Sequence, residues 1–172
     1  MKLTKRSCVT VAVLGSMAAA AAVAVPSGSA QAPATTTLSF YEPDAGSIFK
    51  VVDNPPKTFG SRPGPRSRFS IGDKLTFVAP LLNRKGGTRQ GKLYADATIV
   101  KGGTFETAAI LASATYVLTD GSQIAVHGHL SFSKASVFSV VGGTGRFEGA
   151  RGHVRSVTNP DDSSTDTLTL LP

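Results

Sequence analysis

Little in this chain could staple or anchor a fold. Cysteine occurs once, at Cys8, so no internal disulfide is possible and burial of apolar side chains must hold any domain together. Beyond the run from Ser7 to Val25 there is no second long apolar segment, which excludes a bundle of membrane-spanning helices. Sustained helical periodicity is missing too, which leaves strands. No Gly-x-Ser-x-Gly elbow, phosphate loop or paired-histidine metalloprotease helix is present, so those hydrolytic and nucleotide-dependent chemistries have no motif to stand on. Acidic residues are the scarcer charge, 11 against 18 lysines and arginines.

What is there begins with a targeting signal. Lys2, Lys5 and Arg6 precede the apolar, alanine-rich run, and Pro26-Ser27-Gly28-Ser29-Ala30 breaks it with small residues. This is the pattern of a secretory signal peptide, residues 1–30, expected to be cut after Ala30, with Ala34 as the alternative. A secreted, extracellular protein without stable membrane insertion follows. Cleavage removes three basic residues and no acidic one, so a formal charge of +7 becomes +4. Residues 31–37 read as a flexible lead-in and 38–172 as one domain.

Within that domain, short strands alternate with turn signals. They are expected at Leu38–Glu42, Ser47–Val52, Lys74–Leu82, Gly91–Lys101, Phe105–Thr119, Ser122–Ser133, Ser136–Val141, Phe147–Thr158 and Thr165–Leu171. Asp53 to Arg68 holds Pro55, Pro56, Pro63 and Pro65 with Gly60 and Gly64, too dense for helix or central strand. Asp120-Gly121 is a two-residue hairpin signal. With no helix or disulfide to cover a sheet edge, closure of these strands into an antiparallel barrel is the best solution. Alternation assigns the faces. Leu93, Ala95, Ala97 and Ile99 share one parity, and alanines pointing inward leave room for a small apolar ligand. The predicted lumen is Ser47, Phe77, Leu93, Ala95, Ala97, Tyr116, Val126, Leu130 and Phe132.

Between Val140 and Gly152 lie Gly142, Gly143, Gly145, Gly149 and Gly152, set among β-branched and aromatic residues. They read as structural bends in a curved sheet and not as a phosphate cradle, since no helix pattern follows. The block resembles the VVGGTGxFxxARG segment of plant dirigent proteins and the GGxGxFEGxxG segment of plant allene oxide cyclases. Both belong to one superfamily of eight-stranded antiparallel barrels. Phe40-Tyr41-Glu42, Gly72 to Phe77 and Gly121 to Gly128 precede it in the order and spacing of that superfamily. The resemblance implies an all-β, single eight-stranded barrel that commonly forms homodimers or homotrimers.

It also implies a site. Allene oxide cyclases use a glutamate early in the domain, which Glu42 matches, and a water held near a Ser-Pro pair. Here Asp44 stands for an asparagine, Gly46-Ser47 is followed by Ile48 in place of proline, and Ala79 stands for a second asparagine. Dirigent proteins carry Asp-Pro-Leu where this chain has Ala79-Pro80-Leu81. Neither plant reaction is therefore expected. What the resemblance leaves is a barrel that binds a small hydrophobic molecule and steers its cyclisation or stereoselective coupling, with Glu42 as acid or base. The alternative is a non-catalytic binding or cell-envelope protein on the same scaffold. An open cavity with Glu42 inside favours the first, a filled lumen the second.

Other clusters carry bland readings. His127 and His129 share a strand face, but no acid stands in ligand spacing with them or with His153, so no metal and no cofactor are expected. Phe138 and Phe147 join Phe77, Tyr116 and Phe132 as core aromatics. Lys57, Arg62, Arg66 and Arg68, with Phe59 and Phe69 near them, form a solvated basic loop. No nucleic-acid partner is expected of an exported chain.

Overall fold

The computed structural model describes residues 34–59 and 67–172. Residues 1–30, expected to be a signal peptide, and Arg62 and Arg66 of the basic loop lie outside the described residues. Among the described residues nine strands account for most of the fold: β1 (Thr36–Glu42), β2 (Ile48–Val52), β3 (Lys74–Leu82), β4 (Arg89–Lys101), β5 (Ala109–Leu118), β6 (Gln123–Leu130), β7 (Ser136–Thr144), β8 (Arg151–Thr158) and β9 (Ser164–Leu171). All pairings are antiparallel. Consecutive strands from β3 to β9 are neighbours, β9 pairs with β1, and β1 meets β3 at Tyr41 and Leu82. That last pairing closes an eight-stranded barrel. β2 lies outside the ring, paired to the first half of β3 from Ile48↔Val78 to Val52↔Lys74.

Alternation places the core. In β5, Ile110, Ala112, Tyr116 and Leu118 are buried, while Leu111 and Ser113 between them face water. β4 behaves the same way, with Leu93, Ala97 and Ile99 buried and Lys92, Tyr94 and Asp96 exposed. Such alternation is what one dry and one wet face require. At one end Leu81, Leu118, Ile124, Phe147 and Leu170 are buried together. Toward the middle, cross-strand partners Ala95↔Ala114 and Ala97↔Ala112 put four alanines on neighbouring inward positions. A square of methyl groups cannot fill a barrel of this width, so space remains beside it.

Several local expectations need correction. β1 begins at Thr36, which pairs with Leu170. β5 begins at Ala109 and not at Phe105, because the Thr104 carbonyl accepts from the amides of Thr107 and Ala108 and folds those residues into a turn. β8 begins at Arg151, and Phe147 sits in a single 3-10 turn, Gly145–Phe147. The Asp120-Gly121 hairpin is not a two-residue turn. The Leu118 amide donates to the Ser122 carbonyl at 2.9 Å and Gly121 takes a φ of 82°, the three-residue form with glycine in the left-handed position.

The glycine block also divides. Gly152 has a φ of 141°, and a Cβ there would lie 2.0 Å from the Thr169 carbonyl oxygen of β9. Only glycine lets β8 and β9 approach so closely. Gly143 is equally crowded, against the carbonyl oxygens of Phe147 and Gln123, and Gly145 and Gly149 have φ of 63° and 73°. Gly142 differs, with nothing within 4 Å of its Cβ position and no positive φ. It lies instead at a register shift, where Ala125 pairs with Gly142 and Val126 with Val140, so β7 bulges at Val141 beside it.

The described ends of the proline-rich loop are anchored, while its basic residues Lys57 and Arg68 are exposed. Asp73 is completely buried and its two carboxylate oxygens accept from the amides of Asn54 (2.9 Å) and Ser70 (2.7 Å). Phe59 and Phe69 are each 3% exposed. They stack at 4.6 Å, and the cluster continues through Phe105 to Phe132 with 5.0 Å between successive ring centres.

Candidate functional site

Glu42 is the last residue of β1 and shares its parity with Leu38 and Phe40, so its side chain points into the barrel. On β9 the inward parity is Asp166, Leu168 and Leu170. Phe40 pairs with Asp166 and Glu42 with Ser164. The two carboxyls are therefore diagonal neighbours on one inner wall, within reach of each other. In a ring of eight, β5 stands opposite β9. From there the Tyr116 hydroxyl crosses the lumen and donates a hydrogen bond to Asp166 Oδ2, while its ring stacks on Phe40 at 5.9 Å.

All three groups are dry, with Glu42 5% and Asp166 and Tyr116 each 2% exposed. Burial pushes the Glu42 carboxyl well above its usual range, and the adjacent Asp166 raises it further by charge and by hydrogen bonding. Burial likewise raises the Tyr116 hydroxyl, followed by the charges of Asp166 and Glu42. Glu42 Oε1 and Asp166 Oδ1 are buried with no protein donor. A proton shared between the two carboxyls would give both a partner. Adjacent buried carboxyls of this kind resist ionising together.

Beside this triad lies a cavity of about 240 Å3. One wall is the alanine square with Leu93, Val126 and Leu130; Phe49, Phe77, Phe132 and Phe138 add rings. The wall nearer the acids is hydroxylated, with Ser136 on β7, Ser156 and Thr158 at the end of β8 and Ser164 on β9. Of the predicted lumen residues, Phe77, Leu93, Ala95, Ala97, Tyr116, Val126, Leu130 and Phe132 line this cavity. Ser47 does not. It sits in the turn after β1, where its hydroxyl donates to the Pro43 carbonyl at 2.6 Å. Asp44 is exposed in that turn, and Ala79 is buried without a polar group to offer.

Asp166 escaped the sequence reading. Its signal is the β9 alternation, in which an acid takes a position otherwise held by Leu168 and Leu170. His127, His129 and His153 lie exposed on the outer face, and His127 Nδ1 is 3.0 Å from the Ser113 hydroxyl.

Solved structures share this architecture. Pyocyanin demethylase is 21% identical, the match covering 80% of this chain and 99% of that one with a TM-score of 0.57. A pterocarpan synthase dirigent protein is 19% identical over 81% and 95% of the two chains, TM-score 0.57. An exo-specific intermolecular Diels–Alderase is 15% identical over 80% and 98%, TM-score 0.52. At these identities the likeness is one of fold. No curated protein sequence matches the chain. The sequence model of dirigent-like proteins matches residues 35–171, the whole barrel, and the chain belongs to the dirigent-like protein family.

Proposed function

We propose that this barrel encloses a small, mainly hydrophobic molecule and steers its cyclisation or stereoselective coupling, with Glu42 and Asp166 handling the proton. The observation that carries the reading is a buried carboxyl pair, with the Glu42 carboxyl pushed well above its usual range by burial, beside an open, alanine-walled cavity. A carboxyl whose hold on its proton is strengthened by burial can donate that proton to an oxygen that gains negative charge as a ring closes. The carboxylate left behind can take a proton back from the product, so the cycle consumes none. Asp166, held by Tyr116, keeps the Glu42 proton in place between turnovers. The dry walls restrict the ligand to few conformations and exclude water from reactive intermediates. The barrels of like fold named as a pterocarpan synthase and a Diels–Alderase support ring-forming chemistry on such a scaffold.

Native mass spectrometry of protein purified from its own host identifies the bound molecule. With that molecule, Glu42→Gln should keep the fold and the binding and lower turnover about 100-fold or more, the scale of a positioned acid or base. Binding without turnover by the unaltered protein would favour the non-catalytic reading.

A further inference from the structure

The charge of the lumen runs against the charge of the chain. Lysine and arginine outnumber acids 18 to 11 in the sequence, yet among the described residues no lysine, arginine or histidine lines the cavity. Its deep charged groups are Glu42 and Asp166, and exposed Asp96 and Asp162 border it as well. The described residues lining the cavity bring carboxyls to it and supply no cation to balance them. Aromatic rings stand around the same space, from Phe77 and Phe138 within the barrel to Phe49 and Phe132, which meet edge to face at 6.4 Å. A carboxylate in a low-dielectric chamber faced by aromatic rings attracts a cation and repels an anion.

Resting on the reading above that the lumen is a ligand site, we propose that it selects an organic monocation, a protonated or quaternary amine on an apolar body. The positive group lies toward Asp166 and the hydroxyls of Ser156 and Ser164. The apolar body lies against the alanine square. Rings offer their negative faces to the cation, and the methyl groups of Ala97 and Ala112 leave the width that the body needs. Neutral molecules of the same shape gain the apolar contacts but not the charge, and carboxylates meet repulsion at the dyad.

Isothermal titration of the full barrel with benzyltrimethylammonium, its neutral isostere neopentylbenzene and the anion 3-phenylpropanoate tests this. The cation should bind at least tenfold more tightly than the isostere, and the anion should not bind measurably. Asp166→Asn should erase that preference while leaving the isostere unaffected, whereas Glu42→Gln, which replaces the neutral member of the pair, should retain it. The three-probe comparison uses the unaltered protein, so it stands even if Asp166→Asn does not fold. Equal binding of cation and isostere overturns the charge selection and leaves the lumen a ligand site. A tighter anion also overturns it. Failure of all three probes, with no natural ligand found by mass spectrometry, overturns both readings.

Discussion

Tyr116 on β5 and Asp166 on β9 are joined across the full width of the barrel by a hydrogen bond from hydroxyl to carboxylate. Fifty residues apart in sequence, they sit on opposite strands of the ring. The bond does two things at once. It satisfies a buried acid, and it bounds the cavity on its deep side.

Tyr116→Phe removes the donor and leaves the rest of the ring packing on Phe40. The cost should be about 1–3 kcal/mol, the penalty for an unsatisfied buried acceptor. Urea titration measures it. In a double-mutant cycle with Asp166→Asn, the two changes should fall short of additive by about 1 kcal/mol or more. Additive effects would mean that the two groups do not interact.

Fold and site were legible to different degrees, for physical reasons. Strand order and the inward parity of Leu93, Ala95 and Ala97 follow from period-two alternation, which the sequence displays without help from distant residues. Asp166 was missed because an acid among Leu168 and Leu170 gains its meaning only when Tyr116, half a ring away, supplies a donor. The same holds for Asp73, a turn residue in sequence that proves to anchor a proline-rich loop through two amides. Ser47 was placed by resemblance, and the turn chemistry of Pro43 to Ser47 turns its hydroxyl onto the backbone instead.

Gly142 and Gly152, taken together from the sequence as bends, should now separate. Gly152→Ala must move the Thr169 carbonyl or the strand, and should cost several kcal/mol or prevent folding. Gly142→Ala meets open space and should stay within about 0.5 kcal/mol of the parent. Thermal unfolding of the two variants side by side reads the difference, and equal stabilities would refute the register of β8 against β9.

Ala112 offers a test of the cavity itself. Its cross-strand partner is Ala97, and both line the open space. Ala112→Leu places added methyl groups into about 240 Å3 that is otherwise unfilled. Stability should hold or rise by about 0.5–2 kcal/mol, as cavity filling does, while uptake of any ligand falls at least tenfold. A large loss of stability would show that this wall is already packed.

Glu42 gives the barrel an unusual dependence on pH. Its folded-state pKa is raised above the ordinary 4.5, chiefly by burial and then by Asp166. Between those two values the folded chain holds a proton that the unfolded chain has released, so stability decreases as pH rises. The contribution is complete below about 4.5 and is lost as pH climbs through the folded value. Asp161 works in the opposite direction, since Lys85 and Ser163 hold its carboxyl well below the usual range, and its contribution disappears as pH falls below 3.8. Being exposed, it contributes little. Urea titrations from pH 4.5 to 7.5 should therefore show the parent losing stability relative to Glu42→Gln, by about 1.4 kcal/mol for each unit by which the folded pKa is raised within that range. The amide keeps a donor toward Asp166 but cannot titrate, so the comparison isolates the one proton. A difference that stays flat across this range would mean that Glu42 is ionised inside the barrel, and the acid role proposed for it would fail.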